Sequence, residues 1–188
     1  MPQPLREEVL VSVDVEASGP APSTSSLLAI GACLVDDPDQ GFYVELRPVP
    51  GARWDDAAER IHGLTREHLL EAGLEPAAAL QAFADWIERV RGGGTAVFVG
   101  FNAPFDWMFV ADAFHRHLGH NPFGISGLDE KAYFMGKHGV ERWSDTTKVA
   151  VRRRYPTEMS HTHNALEDAR EQAELMRDLR QPRSTPAT

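Results

Sequence analysis

One cysteine in 188 residues, Cys33, leaves no intramolecular disulfide and no cysteine-based zinc site to consider. It lies in an apolar run of strand length and is read as a small core residue. No apolar stretch approaches the ~20 residues that cross a bilayer. The opening Met1-Pro2-Gln3-Pro4-Leu5-Arg6-Glu7-Glu8 lacks a signal peptide's apolar segment, so the expectation is a cytoplasmic protein without membrane contact. Positive charge is also scarce: 19 lysines and arginines stand against 28 aspartates and glutamates, a formal net charge of −9. That balance excludes a protein that holds nucleic acid chiefly through bulk positive potential. It does not exclude an enzyme whose metal ions neutralise phosphate locally. What is present is ordinary hydrophobic content and enough length for one domain with a sizeable core, expected over about residues 8–180. A polar, proline-containing tail, residues 181–188, is expected to fray.

Val11-Ser12-Val13-Asp14-Val15-Glu16 reads as a buried strand whose alternation sends the valines to one face and Ser12, Asp14 and Glu16 to the other. Two carboxylates one pleat apart repel. A hard divalent cation held between them through oxygen would account for the pair, and so would a strand end that exposes two solvated acids. A loop rich in serine and proline leads to a second strand from Leu27 to Val35, in which Gly31 lets a neighbouring backbone approach. Phe42 to Leu46 alternates as a third strand, completing an antiparallel meander.

Helical character follows, first from Trp54 to Arg60 and then from Pro76, where Ala79, Leu80, Phe83, Trp86, Ile87 and Val90 keep the spacing of a core-facing helix. Gly92-Gly93-Gly94 stops that helix, and no lysine follows as a phosphate-cradling loop would require. Thr95 to Val99 is a fourth strand. It turns at Gly100-Phe101-Asn102-Ala103-Pro104-Phe105-Asp106 into a helix running to about Leu118. Ile125 to Leu128 is a short fifth strand ending at Asp129. A variable region holds Trp143 and the run Arg152-Arg153-Arg154, and a last helix runs from about Ala165 to Leu179. Strands first and then alternating helices and strands indicate an α/β fold with a mixed sheet.

Two further acids sit at helix starts. Asn102 has the chemistry of an N-cap and Pro104 suits a first turn, which places Asp106 near the helix N-terminus. There it either complements the helix dipole or joins the first pair of acids. Asn164 followed by Glu167 has the pattern of a capping box. It puts His163 just ahead of the last helix and Asp168 within its opening turns. A histidine so placed can swing over a site as a general base while the aspartate is held rigidly as a metal ligand; both are equally compatible with solvated positions.

Asp14-x-Glu16, Asn102-Ala103-x-Phe105-Asp106 and His163-x-Ala165-Leu166-x-Asp168, in this order, resemble the three motifs of the DEDDh exonucleases. This is the DnaQ-like family of proofreading exonucleases, ribonuclease T and oligoribonuclease. Ile61-His62-Gly63-Leu64-Thr65 matches a string common between the third strand and the long helix of these enzymes. The resemblance implies a ribonuclease H-like fold: a mixed five-stranded sheet, three antiparallel strands plus two parallel ones, flanked by helices. It implies a 3′→5′ exonuclease in which Asp14, Glu16, Asp106 and Asp168 hold two Mg²⁺ or Mn²⁺ ions and His163 deprotonates the attacking water. Two ions ~3.5–4 Å apart create a nucleophile at neutral pH and neutralise the leaving oxygen. The same resemblance places the 3′-terminal nucleotide near Ala17, Ser18, His62, Thr65, Asn102 and Phe105. Phe105 could wedge against a base or belong to the core, and the arginine run could hold the incoming backbone.

This chain departs from the common pattern at Ala17-Ser18, where many members carry threonines, and at Phe101, where histidine is frequent. His161 rivals His163 as the base, and the Ala165-Leu166-x-Asp168 register favours His163. The expected substrate is the 3′ end of single-stranded DNA or RNA. Competing possibilities are a non-catalytic nucleic-acid-binding or polymerase-associated module of the same fold, and a metal-dependent hydrolase of small nucleotide esters. Sugar preference, substrate length, the cellular metal, pathway and oligomeric state, a homodimer included, are left open by the sequence.

Overall fold

Valine-rich β1 (Glu8–Ala17) is the third strand of five and is sealed on both sides. It pairs antiparallel with β2 (Leu27–Leu34), which pairs antiparallel with β3 (Gly41–Glu45). On its other edge it runs parallel to β4 (Thr95–Gly100), beyond which lies β5 (Gly127–Asp129), also parallel. The order is therefore β3-β2-β1-β4-β5, the expected meander extended by two parallel strands. The structure is a computed structural model that describes residues 7–157 and 162–182. His161 and the tail beyond Pro182 lie outside the described residues.

The crossover from β3 to β4 carries α1 (Asp56–His62), α2 (Arg66–Ala72) and α3 (Pro76–Arg91), and α4 (Pro104–Leu118) links β4 to β5. Then come α5 (Glu130–His138), α6 (Lys148–Arg154) and α7 (Ala165–Arg180). Helix α2 was not expected from the sequence; Thr65 starts it by accepting the His68 N–H at 3.2 Å. The fifth strand begins at Gly127, two residues later than the apolar run implied, and Ile125 is 94% exposed. A Cβ there would be crowded, lying 3.1 Å from the Phe98 ring and 3.3 Å from that of Trp107.

Val11, Val13, Val15 and Ala17 bury against α3 and α4, where Phe83 stacks on Phe42 and Phe114 at centroid distances of 5.0 and 5.6 Å. Helix α7 covers the opposite face, laying Ala169, Ala173 and Met176 on Cys33 and Val99. The alternation of β1 therefore points Asp14 and Glu16 toward α7. Cys33 is a buried core thiol, as expected, and burial pushes its pKa up to about 12. Gly31, the partner of Asp14 in the sheet register, decides how close α7 comes. A Cβ on it would lie 2.0 Å from the Ala165 carbonyl carbon, so the first turn of α7 rests directly on the β2 backbone. Among the described residues no helix is long and apolar enough to cross a membrane.

Candidate active site

Asp14 and Glu16 arrive on rigid strand backbone, and Asp168 arrives one turn into α7. One carboxylate oxygen from each of the three lies within 4.8 Å of the other two. Asn164 fixes the start of α7 by accepting the N–H groups of Leu166 and Glu167 at 3.1 and 3.3 Å. Glu167 turns to Arg170 at 2.6 Å, so the capping is carried by Asn164. Asp168 in turn accepts the Thr162 N–H at 3.1 Å and thereby ties down the backbone ahead of the helix.

Asp106 reaches the same region from α4 but stands beside the trio. Its Oδ1 accepts the Val15 N–H at 3.0 Å, which locks the carboxylate to the strand between the two β1 acids. The expected Asn102 cap is not formed. Asn102 adopts φ 62°, the cap position is Ala103, and no side chain caps α4. The Ala103 N–H is instead satisfied at 2.7 Å by Asp129 Oδ2, whose other oxygen caps α5 at Ala132 N. Asn102 Oδ1 accepts from Lys131 at 3.2 Å. An asparagine tolerates left-handed backbone as readily as it caps, and here the turn geometry required the former.

The electrostatics describe a site that wants a cation. Burial, then the charges of Asp14 and Asp168, push Glu16 up to about 9. Burial, then Asp106 and Asp168, raise Asp14 well above the ordinary carboxylate range. Asp106 is pushed up to about 7 by burial, partly offset by the Val15 N–H. An all-oxygen donor set that is part-buried and self-repelling suits a hard divalent cation. The residues therefore fit the ions that the sequence motifs imply.

His163 lies immediately before the Asn164 cap, exposed and with φ 55°. It is close enough to His62 for its charge to bear on that ring, whose pKa is lowered by burial and then, against the opposing pull of Glu59, by His163. His62, in the Ile61-to-Thr65 string, is thus within electrostatic reach of His163. His62 Nδ1 accepts the Leu64 N–H at 3.0 Å, which leaves the proton on Nε2 when the ring is neutral.

Of the other expected nucleotide contacts, Ala17 is buried, and Ser18 uses its hydroxyl internally. It donates to Arg53 O at 2.7 Å and accepts from Ser26 N at 2.8 Å. Thr65 is the α2 cap described above, and half-buried Phe105 packs against the core, with its ring 5.3 Å from that of Phe109. The arginine run divides: Arg152 turns inward to Glu171 at 2.7 Å, whereas Arg153 and Arg154 are exposed. Sequence reasoning passed over Gln172. Its Nε2 donates to Asp14 Oδ1 at 2.6 Å, and its Oε1 accepts the Phe101 N–H at 3.0 Å. The available signal was its i+4 spacing from Asp168, which puts both on one helix face.

Residues 11–176 match the RNase_T exonuclease family. The 3′-5′ DNA exonuclease Cap18 of Escherichia coli is 43% identical over 172 residues, covering 91% of either chain. Ribonuclease T of Pectobacterium atrosepticum is 27% identical over 180 residues, 90% of this chain and 80% of that protein. The nuclease domain of 3′hExo, a DEDDh family member bound to rAMP, superposes with a TM-score of 0.72 over 89% of each chain at 15% identity, a likeness of fold. With this fold in place and Asp14, Glu16, Asp106 and Asp168 brought to the centre of its sheet, the chain belongs to the RNase_T exonuclease family and is a 3′→5′ exonuclease.

Proposed function

We propose that this enzyme removes nucleotides from the 3′ end of single-stranded nucleic acid by a two-metal mechanism, with DNA as the preferred substrate. One domain over residues 8–180 would carry it. The supporting observation is the convergence of Asp14, Glu16 and Asp168 within 4.8 Å, with Asp106 locked beside them. Two Mg²⁺ or Mn²⁺ ions, held by these four acids, would supply a nucleophile at neutral pH and neutralise the charge on the leaving oxygen. DNA is favoured because the relative at 43% identity is a DNA exonuclease. A net charge of −9 favours a thin, single-stranded end over a long duplex, which would want a broad basic face.

In this scheme His163 takes a proton from the attacking water. Imidazoles as a class exchange protons near neutrality, which suits a histidine to that role, and His163 stands immediately before the Asn164 cap of α7. Asp168 has a second task, holding the Thr162 backbone so that His163 stays near the cleft. His62 and Phe105 would flank the terminal nucleotide, Phe105 stacking or wedging against a base with the part of its ring that the core leaves uncovered. Ala17, Ser18, Thr65 and Asn102 would shape the wall through backbone. The test is a matched digestion of 5′-labelled single-stranded DNA, single-stranded RNA and recessed duplex. A ladder shrinking from the 3′ end, fastest on DNA and dependent on Mg²⁺ or Mn²⁺, is expected. Undiminished activity in a folded Asp14→Ala protein would refute the mechanism.

A further inference from the structure

We infer that Gln172 is a positioning residue that fixes the Asp14 carboxylate for cation binding; this rests on the metal-dependent function proposed above. Gln172 lies one turn beyond Asp168 on α7 and is 2% exposed. Its amide is used at both ends, Nε2 toward Asp14 Oδ1 at 2.6 Å and Oε1 toward the Phe101 N–H at 3.0 Å. The orientation is forced. Turning the amide over would set its oxygen against a carboxylate and its NH₂ against a backbone N–H, with both contacts repulsive. Phe101 follows the last residue of β4, so one side chain ties together β1, β4 and α7 around the acids.

The strand alone does not determine where the carboxylate of Asp14 points, because two side-chain torsions remain free. The Gln172 bond occupies Oδ1 from one side and leaves the other oxygen for an ion. Its neutrality matters as much as its geometry. A lysine or arginine in its place would lock Asp14 equally well but would cancel its charge and compete with the cation. The cations that do lie nearby are held by the preceding residue of α7: Glu171 pairs with Lys148 and Arg152 at 2.6 and 2.7 Å. Adjacent residues thus divide the work, Glu171 restraining positive charge and Gln172 orienting the ligand without adding any.

Outer partners of metal ligands are worth about 10–100-fold in metal affinity. In the full chain without substrate, Gln172→Met and Gln172→Asn should both bind Mn²⁺ about 10–100-fold more weakly than wild type, read by electron paramagnetic resonance or calorimetry. Thermal melts would confirm that each is folded, and Gln172→Asn, which keeps a polar group of similar kind, serves if Gln172→Met does not fold. Saturating Mn²⁺ should restore kcat while KM for the oligonucleotide stays unchanged. Wild-type Mn²⁺ affinity in the folded variants, or a kcat deficit that persists at saturation, would overturn the inference while leaving the exonuclease mechanism standing. A wild-type protein that binds no Mn²⁺ would overturn the metal mechanism itself, and the role of Gln172 with it.

Discussion

Helices α4 and α7 each follow a residue with left-handed backbone, Asn102 and His163, the two non-glycine positive φ values among the described residues. They deliver their acids by different physics. Helix α7 is capped by Asn164 and pressed onto Gly31, so Asp168 is aimed by steric contact between backbones. Helix α4 has no side-chain cap, and Asp106 is aimed by a hydrogen bond to the strand it serves. The difference is that one acid is placed by its helix and the other by its own carboxylate. Substitutions at the two should therefore leave different traces.

Asp168→Ala should show the largest effect, a fall in kcat of at least about a thousandfold, near ~4 kcal/mol of transition-state stabilisation, measured on a labelled oligonucleotide. Gly31→Ala comes next. A methyl group 2.0 Å from the Ala165 backbone must push α7 outward, which should cost about 1–3 kcal/mol as an overpacked site and weaken Mn²⁺ binding although no ligand is altered. Chemical denaturation and metal titration of that variant would check both. If Mn²⁺ affinity survives, steric placement of Asp168 is wrong.

At Asp106 the comparison is between two substitutions. Asparagine can still accept the Val15 N–H and alanine cannot, so Asp106→Ala should be less stable than Asp106→Asn by about 1–3 kcal/mol, the cost of a buried unsatisfied donor. Equal stability in urea would show that the hydrogen bond does not place this acid. A smaller effect is expected from pH. Glu16 at about 9 and Asp106 at about 7, raised from ordinary values of 4.5 and 3.8, bind more protons folded than unfolded across that interval. The stability they contribute is full below those ordinary values and is lost as pH rises through 7 and then 9. In chelator, the melting temperature should fall between pH 6 and pH 9, and Mg²⁺ should flatten the decline.

Much of this was readable because the relevant signals are local and repetitive. Val11 to Glu16 sorts its side chains by alternation alone. Gly31 stands out as a glycine in an apolar strand, and Asn164 is an ordinary cap. The family resemblance then joined acids that no local pattern connects. What escaped depends on partners distant in sequence. Asn102 is chemically suited both to a cap and to left-handed backbone, and the outcome is set by Asp129, 27 residues later, taking the Ala103 N–H. Arg152 reads as a free cation until Glu171 is seen beneath it. The short helices α2, α5 and α6 carry recognisable caps at Thr65, Asp129 and Thr147, but each is too brief to display an apolar period.

The left-handed conformation at His163 sets the fold against the reaction. An L-residue with a bulky side chain pays roughly 1–2 kcal/mol to sit there, and glycine would not. His163→Gly should therefore raise the urea midpoint by the equivalent of about 1 kcal/mol while removing the base proposed above. Selection for thermal resistance alone would discard the histidine. A histidine kept in so unfavourable a backbone is the pattern expected of the proposed base, with an activity requirement set against stability.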